Sequence, residues 1–207
     1  MFKKMDLEYG YDELEPYIDK NTVYIHYNNH YLMYLYNLNE LIKDEFNGYS
    51  KEDIASRIDM VPIAKRGEVL YNLGGVINHE IYFDSMTPHG IAPRGAILDE
   101  IIRLYGSFDN FKSEFIKKAD ELVGSGFTFL VMDRNGNLFI INTSNNDTPY
   151  YYGLYPLLAL DLWEHSYYLK YRYHRDEYIR AWFNLINWNR VNELYLQRKR
   201  NLDTKNR

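Results

Sequence analysis

The chain has 207 residues, a formal net charge of −5, 46% hydrophobic and 17% aromatic content, and no cysteine. That is enough apolar material for one large domain or two smaller ones sharing an interface, and 22 tyrosines argue against disorder. The acidic balance gives no general reason to expect nucleic-acid binding, and without cysteine both disulfides and thiolate metal sites are excluded, leaving His, Asp and Glu as strong ligands.

No segment approaches about 18 uninterrupted apolar residues, so no membrane span is expected. The opening Met1-Phe-Lys-Lys-Met-Asp6 lacks the apolar core of a secretory signal. A cytoplasmic protein is the expectation. The basic tail Arg198-Lys199-Arg200, with Lys205 and Arg207, reads as a frayed, solvated end.

In chain order, residues 20–46 predict one long helix, because Val23, His26, His30, Leu32, Tyr34, Leu35, Leu38, Leu41 and Ile42 recur at helical spacings. Ser50 can cap a short helix, and Arg66–Glu80 predicts a second long one that contains Gly74-Gly75. Paired glycines inside a helix cost stability, so close packing or approach to a site is the physical reason to expect for them. The stretch 89–95, rich in Gly and Pro, is the best linker candidate. Helices are predicted over 97–105 and 108–122, the latter capped by Ser107 or Asp109. Residues 127–133 and 138–143 predict strands joined by the turn Arg134-Asn-Gly-Asn137, with a third strand at 154–160. Helices return at 164–173, 176–186 and 190–199. An all-helical first half and a second half of helices on a small antiparallel sheet make an α+β protein.

The most informative segment is Asp161-Leu-Trp-Glu-His165. If it is helical, Asp161 and His165 share one face. They stand at the edge of the apolar run Tyr155–Leu160, where a carboxylate and an imidazole are costly to bury unless something compensates both, as a metal ion would. The chain has six histidines. His26 and His30, with Tyr34, fall roughly on one face of the first helix, and spacing alone leaves open a metal pair or two half-buried structural histidines. His79 in Gly74-Gly-Val-Ile-Asn-His79 is, taken alone, more often structural; His89 and His174 read as surface residues. Together the candidates can supply three imidazoles and one carboxylate, a set suited to Mn, Fe or Zn. A zinc-hydrolase reading is weak, because His79-Glu80 begins like His-Glu-x-x-His but position 83 is Phe.

These ordered segments resemble the iron/manganese superoxide dismutase family. Asp161-Leu-Trp-Glu-His-Ser-Tyr-Tyr168 is similar to the family signature D-x-W-E-H-A-Y-Y, and the match continues through Ala181–Trp188. Tyr11–Ile18, Asn37-Leu-Asn39, Gly74-Gly-x-x-Asn-His79, Gly106-Ser-Phe108 and Gly124-Ser-Gly126 fit the rest of the pattern, over roughly residues 8–195. The resemblance implies an N-terminal helical hairpin domain (residues 1–90) and a C-terminal domain (91–207) of helices around a three-stranded antiparallel sheet, with the metal between them. It implies one Mn or Fe ion held by His26, His79, Asp161 and His165, and dismutation of superoxide to O2 and H2O2 as the metal alternates between M(III) and M(II). Tyr34 matches a gateway tyrosine, His30 its partner and Trp163 a pocket wall. Glu164, His165, Tyr168 and His30 are implied to meet across a two-fold interface, giving a homodimer or a tetramer built from dimers.

Departures from the pattern are as informative. The family glutamine occupies the position of Gly75 in iron enzymes or of Asn146 in manganese enzymes, and this chain has it at neither. Gly75 with Asn146 favours manganese, while the shorter Asn146 amide is expected to reach the site through a longer or water-bridged bond. A metal-binding dimer with little dismutation is the alternative this substitution raises. Phe83, Phe127 and Phe129 stand where tryptophans are common. Asn29 stands for an entrance lysine, Arg175 keeps an arginine, and Tyr27 and Tyr31 replace histidines near the entrance.

Overall fold

The computed structural model describes residues 1–43 and 45–205. The first helical run is α1 (Lys20–Ile25), a π-turn (His26–Tyr31) and α2 (Leu32–Ile42) in unbroken succession. Asp19 starts it: its carboxylate accepts from the Asn21 and Thr22 backbone N–H groups, which would otherwise be orphaned at a helix N-terminus. The run stops at Ile42, four residues short of the expected 46, because Lys43 takes φ 42° and breaks the helical path.

Ser50 caps α3 (Lys51–Ser56) as expected, in a reciprocal box with Asp53. Helix α4 (Ile63–Asp84) is longer than predicted at both ends and passes through Gly74-Gly75 without interruption. It packs along α2 to form the helical hairpin, with Val69, Leu73, Val76, Ile77 and Phe83 buried. The predicted linker is no free tether: the Thr87 and Ile91 N–H groups donate to the Leu185 and Ile186 carbonyls at 2.8 and 2.9 Å, and Asn187 N–H donates to Ser85 O at 2.8 Å.

Beyond it lie α5 (Ala96–Tyr105) and α6 (Phe108–Asp120), the latter capped by Ser107 rather than Asp109. Strands β1 (Gly126–Met132), β2 (Leu138–Ser144) and β3 (Tyr155–Asp161) form one antiparallel sheet in the order β2-β1-β3, confirming the α+β architecture with its three-stranded sheet. Central β1 is buried along its whole length, which explains why it reads as a continuous apolar run rather than an alternating one. A register shift between Leu130 and Val131 marks a bulge against β3.

The C-terminal quarter departs most from expectation. Residues 164–173 are not one helix: Glu164–Ser166 is a single 3-10 turn and α7 covers only Tyr168–Tyr171. Helix α8 (Arg175–Trp182) passes into another 3-10 turn, and α9 (Trp188–Lys205) runs on through the stretch expected to fray. Arg198 there lies over the Tyr155 ring at 5.0 Å, so the tail is anchored at this point by a cation–π contact; Arg207 lies outside the described residues. No helix of the described residues is long and apolar enough to cross a membrane.

Helix α4 lies so close to the loop after β2 that a Cβ added at Gly74 would stand 1.9 Å from the Asn146 carbonyl oxygen. Asn78 Nδ2 donates to the carbonyls of Asn146 and Asp147 at 3.3 and 3.1 Å, tying the same loop to the same helix. Because the obstructing atom is backbone, Gly74→Ala is expected to destabilise the protein by about 3 kcal/mol, read in urea unfolding as a lower midpoint at unchanged slope.

Candidate metal centre

Strand β3 delivers Asp161 to the bottom of the core. Its backbone pairs with Phe127 of β1, and its own carbonyl accepts from Ser166 Oγ at 2.9 Å and from the Tyr178 hydroxyl at 3.0 Å. Oδ1 accepts from the Trp163 backbone N–H at 2.8 Å, which leaves Oδ2 to face inward. The side chain is fully buried.

Three imidazoles converge on that oxygen. His26 Nε2 stands 3.1 Å from Asp161 Oδ2, His165 Nε2 3.3 Å and His79 Nε2 3.8 Å, and one donor atom from each of the four residues lies within 4.8 Å of every other. His26 comes from the π-turn and His79 from the middle of α4. Asp161 and His165 do not share a helical face: Asp161 ends a strand, Trp163 is extended, and the 3-10 turn at 164–166 swings His165 back toward it. Spacing suggested the pair correctly through the wrong element, since a strand end followed by a tight turn can also close a four-residue gap.

The His79 tautomer is fixed by geometry. His79 Nδ1–H donates to the Gly75 carbonyl at 2.6 Å, so Nε2 carries the lone pair; that nitrogen is buried and has no hydrogen-bond partner among the described residues. Burial, with His165 beside it, lowers the His26 pKa to about 4. Burial and then the neighbouring His26 push His79 well below the usual imidazole range. Burial alone would raise Asp161, but the adjacent His165 and His26 outweigh it and hold the carboxyl well below the usual carboxylate range. The cluster thus sets one ionised carboxylate against His26 and His79 imidazoles held neutral at pH 7, with His165 completing an N3O donor set. Donor spacings of this size are those a single ion at about 2.0–2.2 Å from each ligand would bridge, and the orphaned His79 Nε2 supplies the unsatisfied lone pair such an ion would take.

Around the cluster stand the remaining residues singled out in the sequence. His30 is half-buried and stacks on His165 at 4.0 Å, with burial and then His165 lowering its pKa to about 4. Trp163 stacks on the same imidazole at 5.7 Å and anchors its indole N–H on Asn145 O at 3.1 Å, as a wall would. The Tyr34 ring lies 5.4 Å from His79, and burial raises its hydroxyl well above the ordinary phenol range. Asn146 is buried beside it, but neither amide atom has a hydrogen-bond partner among the described residues. Phe83 and Phe127 line the cluster at 5.0 Å from His26 and 6.0 Å from His79.

Gly75 answers the question its sequence raised. A Cβ there would stand 2.7 Å from Tyr34 Cγ and 3.0 Å from Asn146 Nδ2, so the glycine makes room for both groups. Asn29 is exposed, while Arg175 spends its guanidinium on the carbonyls of Leu122 and Gly124 at 2.6 and 3.2 Å. Tyr27 and Tyr31 are both buried, and their hydroxyls bond the backbone of the N-terminal arm at Met5.

Sequence reasoning missed Tyr71, which meets Tyr34 edge-on at 5.8 Å and is 45% exposed, so it bridges the buried phenol to the surface. Its position four residues before Gly75, on one helical face with the glycine that touches Tyr34, was the available signal. The Tyr82 and Tyr178 hydroxyls, 3.1 Å apart behind Asp161, left none. A cleft of about 1070 Å³ opens elsewhere, between α3, α4, β3 and α9.

Comparison with known proteins matches this arrangement. The α-hairpin domain of the iron/manganese superoxide dismutases matches residues 1–87, and the C-terminal domain of the same enzymes matches residues 93–194. A manganese/iron superoxide dismutase of a bovine Staphylococcus aureus strain is 42% identical over 195 residues, spanning 94% of this chain and 97% of its own. Its counterpart in Staphylococcus aureus strain COL is 41% identical over the same shares. With the helical hairpin, the three-stranded sheet and the N3O cluster in place, the chain belongs to the iron/manganese superoxide dismutase family.

Proposed function

We propose that this superoxide dismutase works at one ion held by His26 Nε2, His79 Nε2, Asp161 Oδ2 and His165 Nε2, between the segment 1–90 and the segment 91–207. The observation that carries the reading is the convergence of three imidazole nitrogens, one of them buried and unpartnered, on a single buried carboxylate oxygen. When bound, manganese or iron supplies one-electron redox chemistry, taking an electron from one superoxide to release O2 and giving it to a second, which with two protons becomes H2O2.

The chain's own residues do the rest. Phe83, Phe127 and Trp163 exclude bulk water from the cluster, which strengthens every charge interaction inside it. Tyr34 is kept protonated by burial and holds a proton beside the site, with exposed Tyr71 behind it as the way to solvent. His30, half-buried and stacked on His165, is a second polar group at the mouth. Asn146 sits by Tyr34 with both amide atoms free, as expected of an amide one methylene too short that acts through a bridging water. Gly75 with Asn146 fits the manganese pattern that the resemblance implies, and a side chain at 75 would collide with Tyr34. Reduced dismutation has no observation in its favour beyond the shortened amide.

A homodimer, or a tetramer built from dimers, completes the proposal. His165 Nε2 faces Asp161, and Nδ1 has no partner within the chain among the described residues. Glu164 and Tyr168 stand nearby in sequence, exposed and without side-chain hydrogen bonds among the described residues, as groups awaiting a second subunit would be.

His26→Ala and Asp161→Ala are each expected to abolish metal retention, measured by metal analysis after dialysis; full occupancy with unchanged turnover in either would overturn the ligand assignment. Superoxide dismutation by protein of known metal content tests the activity itself, and Asn146→Gln should alter both turnover and its pH dependence. Glu164→Ala should weaken the dimer, seen as a shift toward monomer in sedimentation velocity at low concentration.

A further inference from the structure

Tyr31 ends the π-turn that carries His26, and it is fully buried. Its ring lies nearly parallel to that of His79, centroids 6.4 Å apart at 28°, and against Phe83 and Tyr27. Its hydroxyl is satisfied in both of its roles: it accepts from the Met5 backbone N–H at 2.8 Å and donates to Glu80 Oε1 at 2.9 Å. Glu80 is the residue after His79 on α4, and its other oxygen pairs with Lys51 of α3. Both partners of that pair are only 17% exposed. Nothing in the dismutation reaction uses this carboxylate.

The Tyr31–Glu80 bond therefore joins the last residue of the π-turn that begins at His26 to the residue that follows His79 on α4. A π-turn needs such support, because its backbone bonds reach five residues back, as Leu32 N–H does to Tyr27 O, and pack less well than α-helical ones. Left to itself it could relax toward regular helix and turn His26 away. The carboxylate is a costly group to bury, and Lys51 offsets its charge so that the hydrogen bond to Tyr31 can form out of water.

We propose that Tyr31 and Glu80 are positioning residues for the metal centre: their hydroxyl–carboxylate bond cross-braces the π-turn bearing His26 to the turn of α4 bearing His79. The brace fixes the separation of the two imidazoles, whose centroids are 4.9 Å apart, in the protein before metal enters. Charge and hydrogen bonding at this point act through the ligands; neither residue reaches the ion. The inference rests on His26 and His79 being ligands.

The competing role is a staple for the N-terminal arm, since Met5 shares the Tyr31 hydroxyl. The arm has a separate staple at Asn39, which accepts from Phe2 N–H at 2.8 Å and donates to Phe2 O at 3.0 Å, so the roles can be parted. The experiment uses manganese-loaded protein, with metal loss to a chelator and the Mn(II) electron paramagnetic resonance spectrum as readouts, at a temperature where circular dichroism of every variant matches the parent. Tyr31→Phe, which keeps the ring on His79, and Glu80→Ala should each lose manganese about tenfold faster with an altered spectrum. The double variant should be no worse than the single ones, because both break one bond. Glu80→Gln, which keeps an acceptor for Tyr31, should stay close to the parent, and Asn39→Ala should leave both readouts unchanged while lowering the melting temperature. Parent-like metal loss and spectrum in Tyr31→Phe and Glu80→Ala would overturn the proposal and leave the pair as an arm staple. Failure of the ligand reading is separately visible, as retention of manganese by His26→Ala.

Discussion

A carboxylate with no exposed surface sits at the centre of this molecule, and most of the architecture can be read as the means of keeping it there. Removing an ionised group from water costs several kcal/mol even after relaxation, and Asp161 is fully buried. The sheet edge fixes its backbone, Ser166 and Tyr178 hold its carbonyl, and the Trp163 N–H takes one oxygen. What remains is one oxygen turned toward three imidazoles, a charge that the fold has paired but not neutralised. A cation is the natural complement to that residue of charge, and the aromatic lining makes its field strong by keeping water out.

The same constraint explains why two chemically different halves of the chain are tied together so firmly. Two donors come from the helical hairpin and two from the strand end and turn beyond the sheet, so a small relative displacement would open the cluster. Backbone bonds from 85–91 to 185–187 stitch the connection between the halves to the segment before α9. The Gly74-Gly75 pair lets α4 approach the loop at 145–148 to within contact distance. Stability is given up locally, in a glycine pair within a helix, to obtain a separation that only glycine permits.

Much of this was legible in the sequence. Helix α4, the hairpin of strands around Asn135-Gly136, the Ser50 cap and the four clustered residues were all marked by periodicity, turn chemistry or motif. The misreadings have local causes. Asp161 and His165 satisfy the four-residue rule of a helix and equally the geometry of a strand that ends in a 3-10 turn, and spacing cannot separate the two. The end of the first helix depends on a left-handed Lys43, a conformation that no side-chain pattern announces. No residue pattern announces that the Tyr27 and Tyr31 hydroxyls reach the backbone of Met5, because that bond depends on where the N-terminal arm folds back.

The π-turn has a consequence for phase. In a regular α-helix each residue turns about 100°, so Tyr34, eight positions after His26, would point about 80° away from it. One extra residue absorbed in the turn makes position eight behave as position seven, about 20° from alignment, and both side chains address the same cluster. The sequence from 26 to 31 therefore works as a gear tooth: its length matters as much as its letters. Losing Asn28 or Asn29 would leave His26, His30, Tyr31 and Tyr34 present and a helix still formable, but would rotate α2 and its buried face out of mesh with α4. Length variation among homologous chains should accordingly be excluded from this six-residue interval, even where its composition drifts freely.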